Sequence, residues 1–117
     1  MKRSNRDSLE DLRHEVALII HFTREGKDAF LQDERTQYAV MMAYARIGEI
    51  AKQIPDDIFS TQPQVEWREL KGFRDVLIHR YFDINLERVW AAVEKLSDLQ
   101  RAIDALLANL PVEESDS

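Results

Sequence analysis

The run Phe73-Arg74-Asp75-Val76-Leu77-Ile78-His79-Arg80-Tyr81 sets Arg, Asp, His and Tyr close together in an otherwise apolar stretch. Those residue types suit phosphoester chemistry. Arg is a permanently charged fork for phosphate, His titrates near neutral pH, Asp orients a His ring, and a Tyr hydroxyl can be bonded or modified. Arg68, Lys71, Arg74 and Arg80 stand against Glu69 and Asp75, so the window is basic. The chain as a whole is acidic, with 16 Lys+Arg against 22 Asp+Glu and a formal charge of -6. That balance argues against a broad basic surface for nucleic acid and confines any anion contact to this window.

The elements that must hold the window follow from composition and punctuation. The chain has 117 residues, 44% of them apolar, which is one domain's worth with enough apolar content for one core. Three glycines and three prolines leave few turn signals and disfavour a sheet of many short strands, so the expected fold is all-α. The absence of cysteine excludes disulfides and thiolate metal sites and suits a reducing compartment. No signal peptide and no apolar run of the roughly 20 residues needed to cross a bilayer is visible, so a cytoplasmic location without membrane contact is expected.

Helical periodicity divides the chain into four main segments. Ser8-Leu9-Glu10-Asp11 has a capping-box form with Asp in place of Glu, and Leu9, Leu12, Val16, Ile19 and Ile20 then recur at helical spacing. The first helix is placed at about Asp7 to Glu25, with Gly26 as its stop, and residues 28 to 31 can form one turn. Asp33 caps a second helix from about Glu34 to Gln53, ended by Pro55. The stretch from Pro55 to Pro63 is a connector with room for a short helical turn, and a third helix runs from about Gln64 to Tyr81. Asn85 caps a fourth, whose stripe from Leu86 through Val89, Trp90, Val93, Leu96, Leu99, Ile103 and Leu107 runs on to Leu110 before Pro111. The reading is an antiparallel up-and-down four-helix bundle over residues 1–111, with an acidic, disordered tail at 112–117.

Helix geometry constrains the chemistry. Asp75 and His79 are four apart and share a face, so the carboxylate can bond the imidazole, whereas Arg74 and His79 are five apart and diverge by about 140°. The motif therefore reads as half a site, completed when a two-fold dimer brings two Arg74 and two His79 side chains around one pocket. Metal-free RNA cleavage needs a base for the 2′-hydroxyl, an acid for the leaving oxygen and a cation for the phosphorane. Two His79 and two Arg74 would supply them, with Arg80 as a further contact. No Ser/His/Asp nucleophile, P-loop or zinc spacing competes, and the reading requires no cofactor and no metal.

Arg74 and His79-Arg80-Tyr81 together resemble the Arg-x4-His-x-Tyr motif of HepT-like proteins, the HEPN-domain toxins paired with minimal nucleotidyltransferase (MNT) antitoxins. The likeness also takes in residues 34–40, 47–52, 54–55, 67–75 and 81–85 in order and spacing, and covers about Leu9 to Leu110. The resemblance implies a HEPN-like homodimer: the toxin of a type VII-like toxin–antitoxin system, a metal-independent endoribonuclease acting on RNA. It places Arg74 and His79 at the catalytic positions, Asp75 and Arg80 in support, and Tyr81 at the tyrosine that the partner nucleotidyltransferase modifies with AMP. Arg80 departs from the family, where Gly, Asp or Asn often stands.

Other readings stand beside these. The protein could be a non-catalytic nucleotide- or partner-binding subunit of a nucleotidyltransferase complex, with Arg74 and Arg80 holding phosphate. Arg74, Asp75 and Glu49 could form an interhelical ion-pair network, and Tyr81 a half-buried aromatic anchor. His14 and His21 lie two turns apart, about 10 Å, too far to share one metal ion. Met41, Met42, Tyr38 and Tyr44 are expected in the core, and Gly48 is read as permitting close helix packing, since a glycine there otherwise costs about 1 kcal/mol.

Overall fold

The computed structural model describes residues 3–111, and of Tyr81 the backbone alone. The tail expected at 112–117 lies outside the described residues. All regular structure among them is helical: α1 (Asn5–Phe22), α2 (Lys27–Gln32), α3 (Glu34–Lys52), α4 (Asp56–Phe59), α5 (Trp67–His79), a 3-10 turn (Tyr81–Asp83), α6 (Leu86–Val93) and α7 (Leu96–Asn109). The all-α expectation holds.

The core is built on α1. Leu9, Leu12, Val16 and Ile19 recur at steps of three and four, so they form one stripe, and all are buried against α3 and α7. Facing them are Val40, Ala43, Tyr44, Ile47 and Ala51 of α3 and Leu99, Ala102, Ile103 and Leu106 of α7. Arg6 donates to the carbonyls of Leu107 and Leu110 at 3.1 and 3.3 Å, at the end of α7, where the Leu107 carbonyl also accepts from the Leu110 amide at 3.4 Å. Farther along, Arg13 lies 3.6 Å from Asp104, so α1 and α7 run antiparallel. Glu15 is only 3% exposed and is held by Arg46 Nε at 3.0 Å, a charged link from α1 to α3.

Several boundaries differ from the sequence reading. Ser4, not Ser8, caps α1, accepting from the Asp7 amide at 3.0 Å, while Ser8 is buried. The Ser8 box loses because the apolar stripe already starts at Leu9, and a helix begun one turn earlier buries it fully. The helix ends at Phe22, and Gly26, with φ 95°, stands at the start of α2, a conformation that suits glycine. Asp33 and Asn85 cap α3 and α6 as expected, Asp33 accepting from Arg35 at 3.1 Å and Asn85 from Glu87 at 2.9 Å.

The fourth helix is not continuous. It breaks at Glu94 and Lys95, where the Lys95 amide bonds back to Ala92 at 3.0 Å and tightens the turn. No Pro or Gly marks the break; docking does. Trp90 packs against Phe30 at 5.5 Å between ring centres and Glu87 pairs with Lys27 at 2.7 Å, holding α6 to α2, whereas α7 lies along α1. Of the methionines and tyrosines assigned to the core, Tyr44 is buried and Met41 packs against it, but Tyr38 and Met42 are exposed. They sit four apart on the side of α3 away from Val40, Tyr44 and Ile47.

Candidate active site

Contacts along its length seat α5. Near its start, Trp67 stacks on Phe59 at 4.1 Å and donates its indole N–H to the Gln62 carbonyl at 2.8 Å. Lys71 pairs with Asp56 and lies 5.2 Å from the centre of the Phe59 ring, so α4 acts as a brace. The lysine holds the Asp56 carboxyl below its usual range. In the middle, Phe73 stacks on Tyr44 at 4.9 Å.

The closest approach is at Gly48. A methyl group built there would stand 2.9 Å from the Leu70 carbonyl oxygen and 3.4 Å from the Arg74 Cβ. Only hydrogen fits, which realises the close packing expected of this glycine. That contact brings α3's next residue, Glu49, to the Arg74 guanidinium, and the two form an ion pair. One turn on, Lys52 lies 3.6 Å from Asp75, whose carboxylate is also 3.4 Å from Arg74. The four side chains alternate in sign, and all are partly or well exposed to solvent, so the attraction is screened. Lys52 was not singled out from sequence; its signal was its position three residues after Glu49, on the same face of α3.

His79 is the last residue of α5, with an exposed side chain, and Arg80, also exposed, follows as the helix cap, its amide bonding the Val76 carbonyl at 2.9 Å. The helix is unbroken from Arg74 to His79, so the divergence of about 140° between them stands. Asp75 does not bond His79 as expected; among the described residues Lys52 and Arg74 engage it instead. Full cations outcompete an imidazole for a carboxylate. Tyr81 opens the 3-10 turn directly after the helix cap, and its side chain lies outside the described residues. Thus Arg74 and Asp75 are gathered with Glu49 and Lys52 on the α3 side, while His79 and Arg80 stand at the open end of α5. Elsewhere, His14 and His21 are both exposed on α1, and a His21 ring nitrogen lies 3.3 Å from Arg24.

The arrangement can neutralise phosphate oxygens at Arg74 and move a proton at His79, on a helix end open to a large ligand. Comparisons with known proteins bear on which ligand that is. The chain is 44% identical over 96 residues to the "Probable ribonuclease HepT" of Thermococcus cleftensis, covering 81% of this chain and 87% of the relative. It is 35% identical over 118 residues to the "Putative RNase MJ0127" of Methanocaldococcus jannaschii, covering 99% and 98%. No solved structure matches it. The family model described as Ribonuclease HepT-like matches residues 12–106, from α1 to α7 and across the whole Arg74-to-Tyr81 motif, and the chain belongs to that family.

Proposed function

We propose that this chain is a metal-independent endoribonuclease, the toxin of a toxin–antitoxin pair, acting as a homodimer of single-domain HEPN-like protomers. The observation that carries the reading is that one helix, α5, presents Arg74 on its α3 side and His79 at its exposed end in a chain of the HepT-like ribonuclease family. Their divergence favours a second copy, and Val76 and Ile78, each 52% exposed on the same helix, supply apolar surface for it.

In this mechanism one His79 removes the proton of a ribose 2′-hydroxyl. The freed oxygen attacks the adjacent phosphorus, the bond to the 5′-oxygen breaks, and the other His79 protonates that leaving oxygen. The products are a 2′,3′-cyclic phosphate and a 5′-hydroxyl. Arg74 stabilises the negative phosphorane, and RNA phosphate competes with Glu49 for its guanidinium. Arg80 adds a phosphate contact, and Asp75 supports the site by orienting Arg74. A nucleotidyltransferase antitoxin silences the site by transferring AMP from ATP to the Tyr81 hydroxyl, which loses its proton as pyrophosphate leaves, and so brings negative charge and bulk beside the RNA phosphate.

The test is cleavage of a labelled RNA in excess EDTA by Tyr81-unmodified protein, beside an identically prepared His79→Ala variant. Cleavage reduced by about 10²- to 10⁴-fold in the variant, with the fold intact, is expected. Hydrolysis that requires Mg²⁺ would sink the metal-free mechanism. The Arg74–Glu49 pair favours a second reading, a non-catalytic nucleotide- or partner-binding subunit whose arginine is structural at rest. Absence of cleavage by unmodified dimer across several RNA classes would select it.

A further inference from the structure

We infer that Phe82 is a stacking platform for a nucleobase of single-stranded RNA next to the scissile phosphate, an inference that rests on the ribonuclease reading of His79. Phe82 is 98% exposed, far more than any other large apolar side chain described. A phenyl ring held almost wholly in water gives up the burial that ordinarily makes Phe worth having, about 2 kcal/mol or more. It is not at a frayed end, because the 3-10 turn Tyr81–Asp83 fixes it, with the Asp83 amide on the Arg80 carbonyl at 3.1 Å.

Position and charge say what the ring meets. Phe82 is three residues after His79, so the two backbones are at most about 11 Å apart even fully extended, within the reach of neighbouring nucleotides on one strand. Exposed Arg80 stands between them, a cation for the phosphate that joins the two nucleotides. An exposed aromatic ring beside a cation can hold a single strand, since every base has a face to stack. A protein interface fits less well: interface cores are depleted of carboxylates, and this ring has exposed Asp83 as its immediate chain neighbour. Val76 and Ile78, the exposed apolar side chains better suited to a second copy, lie back on the helix.

The experiment uses the full chain and a single-stranded 2′-O-methyl RNA, which lacks the attacking hydroxyl and so reports binding without cleavage. Anisotropy titrations compare the wild type with Phe82→Ala, Phe82→Leu and Phe82→Trp, with light scattering on each. Loss of about tenfold in affinity is expected for Ala and nearly as much for Leu, with Trp at or above wild type and molar mass unchanged throughout. Leu binding like the wild type, equal affinities across the series, no binding by the wild type, or a fall in molar mass for Ala would each overturn the platform. The two readings fail separately. Phe82-dependent binding without cleavage of ordinary RNA keeps the platform and removes the nuclease, whereas metal-free cleavage with Phe82-independent binding does the reverse.

Discussion

Helices α1 and α5 both pack on α3, but α1 is also covered by α7, whereas α3 is the main helical neighbour of α5. Along α1 a full stripe from Leu9 to Ile19 is sealed from water; along α5 only Trp67 and Leu77 are buried. Anchoring of α5 is also graded. Its start is braced by Phe59 and Asp56, its middle by Gly48 and Tyr44, and its end, with His79, projects. The contrast teaches a division of labour: one helix holds the fold, and the other spends little of its surface on stability and keeps an open side for a ligand or a second copy.

The sharpest way to break that comparison is to truncate one residue on each helix. Leu12→Ala, in the sealed stripe, is expected to lower unfolding free energy by about 2–5 kcal/mol, whereas Val76→Ala, measured at protein concentrations dilute enough to favour the protomer, stays within about 0.5 kcal/mol. Equal losses in urea titrations would show that α5 is as much a part of the core as α1.

Next comes the seam between them. Gly48→Ala puts a methyl group against a backbone carbonyl that cannot rotate away, so α5 must shift from α3. A loss of about 1–3 kcal/mol is expected despite alanine's better helix propensity, together with weaker RNA cleavage as Arg74 moves. A variant at least as stable as the wild type would mean that the helices are less tightly seated than their geometry indicates.

The smallest effect is expected in the core beneath the motif. The Tyr44 hydroxyl is buried and has no hydrogen-bond partner among the described residues, and burial pushes its pKa well above the ordinary value. Tyr44→Phe keeps the stack on Phe73 and removes an unsatisfied polar atom, so thermal unfolding is expected to move up, by the equivalent of about 1 kcal/mol at most. A clear loss would reveal a partner for the hydroxyl and a more polar seam between α3 and α5.

How much of this was legible beforehand depended on whether the signal was local. The apolar stripes of α1 and α3, the caps Asp33 and Asn85, the short turn after Pro55 and the close packing at Gly48 all follow from residues within a few positions of one another. The split between α6 and α7 does not, because it is imposed by Phe30 and Lys27, some sixty residues upstream. Nor does the Ser4 cap, which competed with a better-looking box at Ser8 and won through burial. In the candidate site, spacing on one helix correctly separated Arg74 from His79. The expected Asp75–His79 bond gave way to Arg74, its chain neighbour, and to Lys52, a residue on a different helix that single-helix geometry cannot see.

The clasp of Arg6 on the Leu107 and Leu110 carbonyls joins residues more than one hundred positions apart. Such a contact closes nearly the whole chain into a loop, and the entropy of closure must be met before the contact returns anything. During synthesis α1 emerges before α7 and waits with one flank of its stripe uncovered, while the Arg74-to-Tyr81 motif is made ahead of α7. The fold that carries the motif is therefore completed late, only once α7 has left the ribosome.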